Sequence, residues 1–338
     1  MTPAPVKHHR RWGLWLGLGL LAGLGVALVA PFLIPVPRPK GLVDAEELAD
    51  NDSCFIDIGG VRLHYKDQGN PQARQAVIFL HGFASSLYAW RHAMAALKGS
   101  RRVVAFDRPG FGLSSRPLPG DWVGESPYSM LSSAGEVVAL MGALGIDSAV
   151  LVGHSQGASI AVLAADLYPE RVSGLVLVNA PTASPRFQAR PYLEWIRSIP
   201  QLRHIAPLVP RPFFGRYARR VMSMAYADPK RLADETVALE LKATRVKDWD
   251  LSYVELTRNQ TGLHLPEAMS RIHVPTLVIA GREDHTVPYR DQQLAARSIC
   301  GARFMTFYET GHVVPEERPG AFAEVLSDFL DELDSSSS

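Results

Sequence analysis

Five residues, Gly153-His154-Ser155-Gln156-Gly157, constrain the fold of this chain more than any other stretch. They follow the apolar run Ala149–Val152 and open directly into Gln156–Leu167, whose apolar residues recur at helical spacing. The chain must therefore pass from strand to helix almost within one residue. Two small glycines leave room for so sharp a turn, and the turn lifts the serine hydroxyl above the end of a sheet. The helix beyond Ser155 aims its positive end at negative charge developing there.

A strand that ends this way belongs to a sheet whose other strands are also followed by helices. Short β-branched runs occur at 55–58, 61–65, 76–80, 102–106, 149–153, 174–178, 275–280 and 303–307. Helical patterns cover 89–97, 130–144, 156–167, 289–298 and 315–330. This rhythm predicts a mostly parallel eight-stranded sheet covered by helices on both faces. The first two runs, joined at Gly59-Gly60, read as an antiparallel edge hairpin. Residues 182–271 break the rhythm with helical patterns, prolines and aromatics, and read as a helical cap inserted after the sixth strand. The core is then 41–181 with 272–334, and the serine run 335–338 is a disordered tail.

Ahead of the core, residues 13–34 carry no charge, and a helix of that length matches a hydrocarbon layer of ~30 Å. The run exceeds the apolar stretch of a cleavable signal peptide, and Leu28-Val29-Ala30 makes a poor cleavage site, so it reads as a retained anchor. Pro31, Pro35, Pro37 and Pro39 favour an extended stalk beyond it, giving an anchor and stalk over residues 1–40. Lys7, Arg10 and Arg11 precede the span, whereas only Arg38 and Lys40 come closely after it. That asymmetry points to a cytoplasmic N-terminus and an exoplasmic or periplasmic body.

Lysine plus arginine number 35 against 34 acidic residues, so no global charge draws the chain to nucleic acid. Cys54 and Cys300, the only cysteines, build no disulfide framework or zinc site and fall near opposite edges of the expected sheet. No metal, phosphate-loop or dinucleotide motif occurs in a suitable context, so no cofactor is implied.

A serine nucleophile needs a base, and the base needs a partner that fixes its tautomer. Downstream, Asp284 lies in Gly281–Pro288 after the seventh run, and His312 follows the eighth in Glu309-Thr310-Gly311-His312. Ser155, Asp284 and His312 are thus the expected triad, preferred over Glu283 and His285. Asn179, after the sixth run, occupies an alternative place for the acid, but an amide holds an imidazolium less well. The backbone N–H groups of Phe83 and Gln156 are the expected oxyanion donors. His81 reads as a brace for the Phe83 loop, and Asp107–Ser114 as a tight structural loop.

Through His81-Gly82-Phe83, Asp107–Ser114, Gly153–Gly157, Gly281–Pro288 and Gly311-His312, residues 50–332 resemble the α/β-hydrolase superfamily. The resemblance implies a serine hydrolase, with esterases, lipases, carbon–carbon bond hydrolases of ring-cleavage products and cofactor-free perhydrolases as the candidate activities. Epoxide hydrolases and haloalkane dehalogenases of the superfamily carry a carboxylate nucleophile where this chain has Ser155. The anchor makes the chain similar to membrane-bound monoacylglycerol lipases. The reading is a membrane-anchored carboxylic-ester hydrolase acting on a small-molecule ester or lipid through an acyl-enzyme. A carbon–carbon hydrolase is the rival, and a noncatalytic ligand-binding protein the remote one. Trp195, Phe213 and Phe214 are candidate substrate-binding residues in an apolar wall of the cap, and the cap's arginines would face anionic headgroups.

Overall fold

The computed structural model describes residues 9–73, 75–181, 199–258 and 265–337. An apolar helix, α1 (His9–Leu33), opens the chain; its segment Trp15–Leu33 has a mean hydropathy of 2.2 and none of it is buried. Among the described residues it is the one helix long and apolar enough to cross a membrane. The body contains strands β1 (Cys54–Ile58), β2 (Val61–Gln68), β3 (Gln75–Leu80), β4 (Val103–Phe106), β5 (Ser148–His154), β6 (Val172–Val178), β7 (Thr276–Gly281) and β8 (Arg303–Phe307). They form one sheet in the order β1-β2-β4-β3-β5-β6-β7-β8. The pairs β1–β2 and β2–β4 are antiparallel and all others parallel; the mostly parallel sheet and the β1–β2 edge hairpin are as the spacing of runs and helices predicts. Cys54 and Cys300 are both exposed, at opposite ends of this order.

Alternation along the strands divides the core into two layers. Ile78, Leu80, Val104, Phe106 and Leu151 face one side, whereas Val77, Phe79, Val103, Ala105 and Val152 face the other. Helices α2 (Arg91–Leu97), α3 (Met130–Ala143) and α4 (Gln156–Leu167) follow β3, β4 and β5. After β6 the described part of the insert contains α5 (Pro200–Ile205), α6 (Ala218–Ser223), α7 (Asp234–Leu241) and α8 (Trp249–Arg258). The next helix, α9 (Leu265–Ser270), buries Ala268 and Met269 in the same cluster as α4, so this end of the insert belongs to the core layer. α10 (Tyr289–Ser298) precedes β8, and α11 (Val314–Glu317) and α12 (Pro319–Ser337) close the chain.

Two local departures from the sequence reading have simple causes. The single helix expected over 315–330 is split at Arg318, whose φ of −136° and ψ of 53° leave the helical region because Pro319 follows. The serine run expected to be disordered instead extends α12 to Ser337. That helix is anchored by buried Phe322, Leu326, Phe329 and Leu330, and adding residues to a formed helix costs far less than starting one. Ser335 Oγ also donates to Asp331 O at 2.8 Å.

The insert lies beside the end of α1. Gln201 Nε2 donates to Leu28 O at 3.1 Å, His204 Nε2 lies 3.0 Å from Ile34 O, and Val43 pairs with Val246. The insert's excess of arginines is partly neutralised: Arg211 pairs with Asp250 at 2.6 Å, Arg219 with Asp234, and Arg203 with Glu255 at 3.9 Å. Exposed Arg216 and Arg220 form no ion pair among the described residues.

Candidate active site

The three residues expected as a triad emerge at the C-terminal ends of β5, β7 and β8. Ser155 has φ 52° and ψ −118°, a left-handed conformation unusual for a side-chain-bearing residue, between β5 and α4. The flanking glycines are steric necessities. A Cβ on Gly153 would overlap Gly157 O, and one on Gly157 would overlap Leu80 O and lie 2.7 Å from His81 O. Gly157→Ala therefore pushes α4 away from β3 and from the loop after it. We expect about a 100-fold fall in turnover, the scale of a roughly 1 Å misplacement, and a lower melting temperature. Activity within a factor of about two of wild type would show that this packing is not needed.

His312 Nδ1 is 2.8 Å from Asp284 Oδ2. The same oxygen accepts from Asn179 Nδ2 and Gln292 Nε2, both at 2.9 Å, while Oδ1 accepts from the N–H groups of Thr286 (2.8 Å) and Val287 (2.9 Å). Burial disfavours the charged carboxylate, but the bond to His312 and the backbone donors outweigh it and hold the pKa below its ordinary value. The ring of His312 packs on that of His154 with centroids 4.8 Å apart, which puts the imidazole beside the residue preceding Ser155. His154 Nε2 donates to His312 O at 2.6 Å, and burial drops the pKa of His154 to about 3, so its ring is neutral.

The loop after β3 closes the other side. A Cβ on Gly82 would lie 2.9 Å from His154 Nδ1 and 3.4 Å from Ser155 Cβ, so the Phe83 loop touches the serine turn. His81, buried and neutral with a pKa of about 3, braces this loop as expected. Its Nδ1 donates to Gly82 O at 2.8 Å and its Nε2 accepts from the Arg108 N–H at 3.1 Å. Arg108 Nη2 donates to Gln156 Oε1 at 2.8 Å and reaches Gly82 O at 3.3 Å, joining the two expected oxyanion positions. Burial lowers the pKa of Arg108 to about 9, which leaves it charged at neutral pH. Beneath it, Asp107 accepts from His64 Nδ1 and the N–H groups of Leu87 and Leu113, so the 107–114 loop is structural as read.

Residues 77–325 match the profile of the alpha/beta hydrolase family. The chain belongs to that family. This hydrolase is 31% identical to a 2-hydroxymuconate semialdehyde hydrolase from Pseudomonas sp. (strain CF600) over 288 residues, 82% of this chain and 94% of the relative. Its fold superposes on a mutant of the meta-cleavage product hydrolase CumD with a TM-score of 0.66 at 27% identity, covering 82% and 98% of the two chains. A membrane phospholipase A described as a bacterial virulence factor shares the fold with a TM-score of 0.67 at 20% identity, over 96% of this chain and 99% of the other.

The candidate wall residues separate. Phe214 packs against Tyr253 (5.0 Å) and Trp249 (5.6 Å), and Tyr253 against Phe83 (5.5 Å), which forms an aromatic line from the loop after β3 into the insert. Phe213 is half exposed and turned to solvent, and Trp195 lies outside the described residues. Around the candidate site stand residues to which the sequence reading assigns no catalytic role: Asn179 and Gln292 bonded to Asp284, His154 packed on His312, and Arg108 bonded to Gln156 and Gly82. Asn179, with φ 49° at the end of β6, is the one with a visible sequence signal, because its position was already a site for the acid.

Proposed function

We propose that this hydrolase cleaves carboxylic esters of lipids or other small molecules through an acyl-enzyme on Ser155. The observation that carries the reading is the strained Ser155 turn pressed against the Phe83 loop, beside an imidazole fixed by a carboxylate. With Nδ1–H committed to Asp284, His312 Nε2 is the free base that takes the Ser155 proton as Oγ attacks the ester carbonyl. The oxyanion forms under the N–H groups of Phe83 and Gln156 and the N-terminus of α4. His312 then protonates the leaving alcohol, activates water against the acyl-enzyme, and returns to its resting form as Ser155 is released. Asp284 stabilises the imidazolium in both halves. The part of the insert described ahead of α9, residues 199–258, acts as a cap, and Phe83, Tyr253 and Phe214 line the acyl side. No cofactor takes part in this scheme.

In the same reading α1 anchors the enzyme in a membrane, with the catalytic body on the exoplasmic or periplasmic side. The position of α5 against the end of α1 supports it, as do the exposed Val209, Phe213, Arg216 and Arg220, which suit a headgroup layer.

Identity to the 2-hydroxymuconate semialdehyde hydrolase favours a second reading, carbon–carbon cleavage by the same triad. A dienoate carboxylate calls for a cation aimed at the substrate, whereas the buried Arg108 is engaged by Gln156 and Gly82. The deciding experiment gives full-length enzyme p-nitrophenyl esters of increasing acyl length and, separately, ring-cleavage dienoates. We expect ester turnover that disappears in Ser155→Ala. Fast dienoate cleavage with negligible ester hydrolysis would establish the second reading.

A further inference from the structure

The loop that carries His312 is fastened to the insert at its backbone. His312 N–H donates to Ala225 O at 2.7 Å. Glu317, whose side chain is fully buried, closes the connection: Oε1 accepts from Gly311 N–H at 2.6 Å and Oε2 from Ala227 N–H at 2.9 Å. The segment 225–227 passes so near that a Cβ on Gly311 would lie 2.5 Å from Ala225 O and 2.7 Å from Ala227 N. Further ties run the same way. Arg231 Nη1 donates to Glu309 O at 2.6 Å and lies 3.9 Å from Glu317 Oε2, and Thr236 of α7 donates to Glu316 at 3.2 Å.

We propose that Glu317 is a positioning residue that couples the insert to the base of the reaction, setting His312 only while the 225–227 segment is seated. It rests on the reading of His312 as that base. Glu317 is not placed to act on substrate itself, because both of its oxygens are engaged by the backbone N–H groups of Gly311 and Ala227. Its effect is geometric. The two amides it joins belong to different parts of the fold, so a shift of the insert is passed to Gly311 and to the neighbouring imidazole. The insert in turn holds Phe214 and Tyr253, which an acyl chain would press against. Long acyl groups seat the insert and thereby align His312, whereas a short acetyl group does not reach it.

The test measures kcat and KM of full-length enzyme for p-nitrophenyl esters from acetate to decanoate, with Glu317→Ala and Glu317→Gln. Wild-type kcat should rise with acyl length. In Glu317→Ala that rise should be lost, with a fall of about 100-fold at decanoate, a small one at acetate, and KM little changed. Glu317→Gln, which keeps one carbonyl acceptor, should lie between the two. The low-field proton resonance of His312 Nδ1–H should move in Glu317→Ala and stay put in Arg303→Ala, which removes a surface pair with Glu332 and a cation–π contact with Phe329. An equal loss at every chain length, or no loss with an unmoved resonance, would overturn the coupling. If Glu317→Ala does not fold, Arg231→Ala should give the same chain-length pattern in weaker form, and its absence counts equally against the proposal. Should the wild type label with a fluorophosphonate but hydrolyse no ester, the ester reading fails by itself. The labelling rate of Ser155, slowed in the Glu317 variants or not, then decides the coupling.

Discussion

Asp284→Asn should lower kcat by about 10,000-fold with little change in KM. The carboxylate accepts from His312 Nδ1, Asn179, Gln292, Thr286 and Val287. Every one of these neighbours is a donor, so an amide cannot fit without turning its NH2 toward one of them. The Thr286 and Val287 N–H groups are fixed by the backbone and will hold the amide oxygen. The NH2 then faces His312 Nδ1, which becomes an acceptor, and the ring's remaining proton moves to Nε2. An imidazole protonated there cannot take the proton of Ser155. Asn179→Ala and Gln292→Ala remove one donor each and leave the tautomer intact, so each should cost only about tenfold, near one hydrogen bond's worth to a charged group. Steady-state kinetics on a p-nitrophenyl ester separates the cases, and an Asp284→Asn enzyme within tenfold of wild type would contradict this account of the acid.

Stability should be greatest between about pH 4.5 and pH 6.5 and fall steeply on either side. On the acid side, burial keeps His81 and His154 neutral, with pKa values of about 3 against an ordinary 6.5. The unfolded chain takes up their protons first, so stability is lost as pH drops from 6.5 toward 3. On the alkaline side, burial raises Glu136 and Glu240 to about 8 from an ordinary 4.5. The folded chain then holds protons that the unfolded chain releases, and stability is lost as pH rises from 4.5 toward 8. Each group acts within its own window. The two opposed pairs cancel between 4.5 and 6.5, and beyond either limit one pair acts alone, at roughly 3 kcal/mol per pH unit. Asp284 and Asp107, whose pKa values are lowered despite burial, add to the loss at low pH, because their stabilisation disappears as they protonate. At ~2–4 °C per kcal/mol for a large domain, melting temperatures at pH 8 should lie roughly 10 °C below the maximum. Thermal melts of full-length protein from pH 3 to pH 9 test this, and a flat profile across that range would contradict the buried neutral states. His154→Gln should flatten the acid limb specifically.

The parts of this hydrolase legible in its sequence are those set by local periodicity and short motifs. The eight apolar runs became the eight strands because the central ones are buried on both faces and so stay apolar at almost every position, and Gly153–Gly157 foretold its turn because only glycine fits where Gly157 approaches Leu80 and His81. The added length of β2, out to Gln68, was hidden because it depends on pairing with β4 rather than on the residues themselves. Gln292 and Glu317 were likewise silent: their partners lie 8 and up to 90 residues away, and a polar residue in a helix looks the same whether it faces solvent or a buried carboxylate or amide. The insert's arginines read as one basic field because Asp234, Asp250 and Glu255, which pair with Arg219, Arg211 and Arg203, come well after them in the chain. Phe213 and Phe214 were indistinguishable as neighbours, and only the direction of the backbone turns one outward and the other toward Tyr253.

The central claim is that Ser155 carries the acyl group. Full-length enzyme mixed with a slowly turned-over p-nitrophenyl ester, quenched in acid within the first turnover and digested, gives a peptide spanning 153–157 whose mass can be read directly. The account predicts that this peptide gains the mass of the acyl group in step with a burst of p-nitrophenol, and that Ser155→Ala shows neither. Steady hydrolysis by the wild type with this peptide unmodified, or with the acyl group on another residue, would contradict it.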